Sequence, residues 1–167
     1  MAQIELPYFG QINFSQLEQY YTVKVNELKI KVDLNFVDNN INEEEALNVK
    51  VFLENILTFN TINKKEILND FNNEGETQAY INFYLEELTE EELKEIIGYD
   101  DEGLTLEEQL LNQLRLVRVG IYPDKKFGIN FYSVFDYSID IDGEACNQVL
   151  AVKTNRKGEL DCIDWES

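Results

Sequence analysis

Hydrophobic and polar residues alternate first between Leu28 and Phe36. Leu28, Ile30, Val32, Leu34 and Phe36 are separated by Lys29, Lys31, Asp33 and Asn35, the period-two pattern of a strand with one buried face. A two-residue loop at Asn26 and Glu27 pairs Val25 with Leu28, Val23 with Ile30 and Tyr21 with Val32, which keeps every apolar residue on one side. Ahead of this hairpin, Ser15 is placed to cap a short helical turn through Leu17.

The period then lengthens. Asn42 with Glu45 three residues later matches a capping box, and Ala46, Val49, Leu53, Ile56 and Leu57 follow at helical spacing. A second helix is expected over 64–71, ended by Asn72, Asn73, Glu74 and Gly75. A third starts near Thr77, with Tyr80, Phe83, Tyr84 and Leu88 on one side. Thr89 with Glu92 makes another capping box, and Gly98 is placed to stop that helix. Thr105 with Glu108 opens the last, which carries Leu106, Leu110, Leu111 and Leu114.

From Leu116 the period returns to two. Val117, Val119 and Ile121 share a face, and the chain turns through Tyr122, Pro123, Asp124, Lys125 and Lys126. Ile129, Phe131, Ser133 and Phe135 form one side of the next strand, with Tyr132 on the other and Gly128 as a bulge. The aromatic run Phe131, Tyr132, Phe135 and Tyr137 reads as sheet packing. A last hairpin turns at Lys157 and Gly158. Pairing Asn155 with Leu160 sets Leu150 and Val152 opposite Trp165 and Ile163, and leaves Lys153, Asp164 and Glu166 on the other face. Strands, then helices, then strands predict an α+β fold. Its antiparallel sheet is built from N-terminal and C-terminal strands, with a central helical segment packed on one face.

The length of 167 residues fits a single domain spanning 1–167. An apolar fraction of 44%, with 12% aromatic residues, can fill a core without disulfides. Charge changes the picture more: 33 acids against 14 bases give −19. A field of that sign repels nucleic-acid phosphates and anionic membranes, and it speeds encounter with basic partners. No apolar run approaches the length of a membrane span. The start, Met1-Ala2-Gln3-Ile4-Glu5, lacks the features of a secretory signal. Cys146 and Cys162 read as small buried thiols, and a cytoplasmic location is expected.

The chain has no histidine, which removes Ser-His-Asp and Cys-His catalysis and histidine-based metal sites. It has no CxxC pair and no glycine-rich phosphate loop, so neither a catalytic residue nor a cofactor is expected. Carboxylates remain. Asp140-Ile141-Asp142-Gly143-Glu144 resembles the middle of a calcium loop, but that register puts Ser138 at position one and Val149 at position twelve, where a bidentate Glu is needed. Asp142 and Gly143 read instead as a hairpin turn.

Acidity is concentrated between Glu86 and Glu108, where eleven acids face one base, Lys94, and supply −10 of the −19. Glu90, Glu91 and Glu92 after Thr89, and Glu107 and Glu108 after Thr105, sit in first helical turns, where each offsets the helix dipole by roughly 0.3–1 kcal/mol. Capping does not account for Glu86, Glu87, Glu95, Asp100, Asp101 or Glu102. Glu91 and Glu95 fall one turn apart, a repulsive pair. Glu86, Glu87, Glu91, Glu95, Asp100, Asp101 and Glu102 are therefore the candidate partner-binding face, against the plainer reading of a solvated surface.

Five motifs carry a resemblance: Tyr8-Phe9-Gly10-Gln11-Ile12, Gly120-Ile121-Tyr122-Pro123-Asp124, Val134-Phe135-Asp136-Tyr137-Ser138, Leu150-Ala151-Val152-Lys153 and Trp165-Glu166-Ser167. Together they resemble an uncharacterised bacterial family, domain of unknown function 2004, across nearly the whole chain. The family brings no catalytic residues. Small acidic bacterial proteins of this kind are similar to immunity proteins, which neutralise a cognate toxin. The leading expectation is thus a non-catalytic acidic protein of immunity type that neutralises a basic protein partner. One alternative is a calcium-binding module or metal-dependent hydrolase using Asp140, Asp142 and Glu144. Another is a housekeeping protein with no discrete site.

Overall fold

A computed structural model of the chain describes residues 2–97, 103–124 and 130–167. Four strands come first: β1 (Gln3–Leu6), β2 (Gly10–Asn13), β3 (Tyr20–Val25) and β4 (Ile30–Asn35). The helices are α1 (Glu43–Glu54), α2 (Ile56–Asn72), α3 (Glu76–Glu87), α4 (Glu90–Ile97) and α5 (Leu106–Leu111). Then come β5 (Arg115–Ile121), β6 (Ser133–Ser138), β7 (Asp140–Ile141), β8 (Glu144–Ala145), β9 (Val149–Thr154) and β10 (Leu160–Glu166). The fold is α+β.

The main sheet has the order β10-β9-β6-β5-β4-β3, and β1–β2 and β7–β8 are separate hairpins. Every neighbouring pair in it is antiparallel except β4 and β5. A parallel pair needs a long crossover, and the helical segment between β4 and β5 supplies it. One face carries Val32, Leu34, Val119, Ile121, Phe135, Tyr137, Leu150 and Val152, all fully buried. Helices meet that face: Phe52 of α1 lies 6.0 Å from the Phe135 ring, and the Tyr137 hydroxyl donates to Asn60 of α2 at 2.7 Å. Tyr80 of α3 meets Trp165 of β10 edge to face at 6.2 Å, and both residues hydrogen-bond Gln148.

Several expectations from the sequence need correction. A hairpin, β1–β2, precedes the one read first. The β3–β4 loop is four residues long, not two, and Lys29 adopts the left-handed conformation with φ of 56°. Val25 therefore pairs with Ile30, Val23 with Val32 and Tyr21 with Leu34. A two-residue slip preserves parity, so the buried face is unchanged. Ser15 does not cap a helix: its backbone N–H and hydroxyl both donate to the Asn13 side chain in a turn. The second helix starts at Ile56 rather than Lys64, and Leu57 lies exposed on it.

A bulge between Leu116 and Arg118 buries Leu116 and leaves Val117 half-exposed. Phe131 does not share the face of Phe135. It contacts Lys153 on the opposite side, while Tyr132 packs on Phe52. At the last hairpin Leu150 faces Trp165 and Val152 faces Ile163 as expected, but Thr154, not Asn155, pairs with Leu160 ahead of a bulge. Gly98, Lys125, Lys126, Gly128 and Ile129 lie outside the described residues.

The capping boxes at Asn42 and Thr89 are both formed. The start of α3 uses a signal the sequence did not advertise: Asp70 of α2 accepts from the Thr77 N–H at 2.8 Å. Gly75 makes room for it, since a Cβ there would stand 2.1 Å from an Asp70 carboxylate oxygen. Gly75→Ala should displace Asp70 and cost about 1–2 kcal/mol, the worth of a lost cap, as read from urea denaturation. Among the described residues no helix is long and apolar enough to cross a membrane.

Candidate functional site

Two of the sequence's carboxylate clusters meet in space. On α4, Leu93, Ile96 and Ile97 pack toward the core, so Glu90, Glu91, Glu92 and Glu95 are turned outward and exposed. Glu91 and Glu95 stand one turn apart, as their spacing requires. Glu86 and Glu87 are exposed in the last turn of α3, which contains no base. Acids there oppose the helix dipole, at a cost of a few tenths of a kcal/mol or more each. Asp100, Asp101 and Glu102 lie outside the described residues.

The β7–β8 hairpin faces α4. Its turn is made by Asp142 and Gly143, both in the left-handed region with φ of 56° and 81°, the geometry that favours Asp-Gly in tight hairpins. Between hairpin and helix lies a cleft of about 330 Å3, lined by Glu92, Glu95, Gln113, Asp140 and Asp142 among others. Among the described residues no basic side chain lines it. Asp140 is tied by a 2.7 Å ion pair to Arg115, and its other carboxylate oxygen is buried without a hydrogen-bond partner. Glu92 also serves the α4 cap. Glu95 and Asp142 are left as exposed charges on the two walls. Glu86, Glu87, Glu91 and Glu144 are exposed but do not line the cleft. Among the described residues no group of three or more acids or cysteines is arranged to hold a metal ion, and Asp140, Asp142 and Glu144 are not brought together as one.

Comparison with protein-family models, curated proteins and solved structures finds no match to this chain. The likeness to domain of unknown function 2004 rests on the sequence motifs alone.

A second polar cluster escaped sequence reading. On the helix-free face of the sheet, Arg118 of β5 lies between Asp33 of β4 and Asp136 of β6. Its guanidinium donates to both Asp33 oxygens at 2.8 and 2.9 Å, to Asp136 at 3.0 Å and to the Tyr122 hydroxyl at 2.9 Å. Asn35 adds a 2.7 Å bond to Asp33. Gly120 lets the guanidinium lie flat, because a Cβ there would come within 2.5 Å of it. Asp33 is fully buried. Burial alone would lower the pKa of Arg118, but the bonds and charge of Asp33 hold it above its ordinary value. The charges of Arg118, Asp33 and Asp136 are spent largely on one another. The cluster is structural.

Burial pushes the Asp136 carboxyl above its ordinary range, with Arg118 offsetting only part of the shift. Its ionised form is therefore less favourable in the fold than in the unfolded chain. The contribution of Asp136 is most favourable in acid and is lost as pH rises through the raised value. Asp136→Asn removes that titration. The variant's stability relative to the wild type should improve as pH rises across the interval just above 3.8, the ordinary value. Denaturant melts at stepped pH values check this, and a relative stability that stays level would argue against it.

Proposed function

We propose that the chain is a non-catalytic binding protein whose acidic face, centred on the cleft between α4 and the β7–β8 hairpin, receives basic side chains of a protein partner. The observation that carries this reading is the convergence of Glu92, Glu95, Asp140 and Asp142, from segments more than forty residues apart, on one cleft that no base among the described residues lines. Carboxylates brought together in this way repel one another, and the fold gains nothing from Glu95 and Asp142 facing across open space. A lysine or arginine entering the cleft relieves that repulsion. With no histidine in the chain, histidine-based catalysis offers no support for a competing enzymatic reading. Neutralisation of a basic toxin, as by an immunity protein, is the activity such a surface fits.

The test replaces Glu95 by Lys and Asp142 by Asn. Asn tolerates the left-handed turn position, so the hairpin is preserved while the face loses two negative charges and gains one positive one. Immobilised wild type, incubated with lysate of its source cells at low salt, should retain a basic protein that the double variant does not. Equal retention on both, or retained proteins without an excess of Lys and Arg, would count against the acidic face.

A further inference from the structure

At the sheet end where β4, β5 and β9 all finish lies a second cavity of about 330 Å3, with no lining residue in common with the acidic cleft. Three groups of residues line it: Glu45 and Asn48 of α1, Tyr132 just ahead of β6, and Arg156 of the β9–β10 turn. The carboxyl ends of sheet strands are a common position for ligand crevices in sheets with crossover helices.

Tyr132 sets the character of the cavity. Its ring is held against Phe52 with centroids 5.2 Å apart, and its hydroxyl is buried with no hydrogen-bond partner. A buried hydroxyl left this way is costly, and a bound polar group would remove the cost. Burial raises its pKa, the Arg156 charge opposes that rise and the Glu45 charge adds to it, which places both ions within electrostatic reach of the hydroxyl. Neither Glu45 nor Arg156 is in a salt bridge with a described residue. Among the described residues the Glu45 carboxylate accepts a single long hydrogen bond, from the Asn42 N–H at 3.4 Å.

We propose that this cavity binds a small amphoteric molecule of the free amino-acid class, with its ammonium group on Glu45, its carboxylate on Arg156 and a polar group on the Tyr132 hydroxyl. Ligands of one sign fit less well. A bare anion meets the three first-turn acids Glu43, Glu44 and Glu45 and the repulsive field of the whole chain. A bare cation leaves Arg156 uncompensated. The volume lies at the small end of ligand sites, which run from about 300 to 1,000 Å3, so it suits a metabolite rather than a peptide.

The experiment follows thermal unfolding of the full chain with each of the standard L-amino acids at about 10 mM, since a ligand bound only by the folded state raises the midpoint. Those that raise it are then titrated calorimetrically into the wild type, Glu45→Gln, Arg156→Gln and Tyr132→Phe. Gln at position 45 still completes the capping box, so that variant changes charge without loosening α1. At least one amino acid should raise the midpoint, and each charge variant should weaken its binding about tenfold or more. A wild type unmoved by every amino acid would overturn the proposal, as would affinities equal across the wild type and both charge variants.

Discussion

Arg118→Met should cost about 3–5 kcal/mol of folding stability, the usual consequence of removing one partner from a buried ionic cluster. The side chain of Asp33 is 1% exposed and that of Asp136 is 13% exposed. Without the guanidinium, each would be an uncompensated charge in a poorly solvated place. Met fills comparable volume, so the loss reports charge rather than a cavity. Urea denaturation of Arg118→Met and Asp33→Asn, alone and together, separates these contributions. The double variant should lose less than the sum of the singles, because removing both partners leaves less unpaired charge. Additive losses would mean that the two residues do not act as a unit.

Gly158→Ala should have the next largest effect. Gly158 is buried in the β9–β10 turn with φ of 80°, and a Cβ there would meet the Phe59 ring at 2.4 Å. Left-handed strain costs about 1–2 kcal/mol, and forcing the ring aside adds about 1–3 kcal/mol, because Phe59 is itself seated against Phe52 at 4.8 Å. A loss of roughly 2–5 kcal/mol in denaturation is expected. Gly143→Ala is the internal control, since it has nearly the same φ, 81°, but open space around it, so it should show the strain alone. Equal losses at the two positions would show that contact with Phe59 is unimportant.

The fold was readable where local chemistry acts alone. The Asn42 and Thr89 capping boxes, the Asp142 and Gly143 turn and the Leu150–Trp165 and Val152–Ile163 pairings all follow from spacing, because each depends on residues close in sequence. What the sequence hid depends on distance. Alternation predicted that Asp33 and Asn35 would face solvent, yet Asp33 is fully buried because Arg118, 85 residues away, covers it. The parallel β4–β5 pair leaves no local mark, since it is formed across the whole helical segment. The bulge at Leu116 and the crossed positions of Phe131 and Tyr132 come from backbone irregularities that a two-residue period cannot register.

The candidate site divides in the same way. The density of acids near α4 was plain in composition, and so was the lack of any capping role for Glu95. That Asp140 and Asp142 stand across the cleft from Glu95 was not, because about forty-five residues separate them in sequence. The two carboxylate groups looked like rival hypotheses, an acidic face and a calcium loop. They are walls of one cleft.

The most direct measurement is the association rate of the captured basic partner as a function of ionic strength, for the wild type and for the Glu95→Lys, Asp142→Asn variant. Charge-steered docking on the cleft predicts a wild-type rate that falls steeply as salt rises, and a variant at least about tenfold slower at low salt with a flatter dependence. Wild-type and variant rates that coincide at every ionic strength would contradict an acidic face built to receive a basic protein.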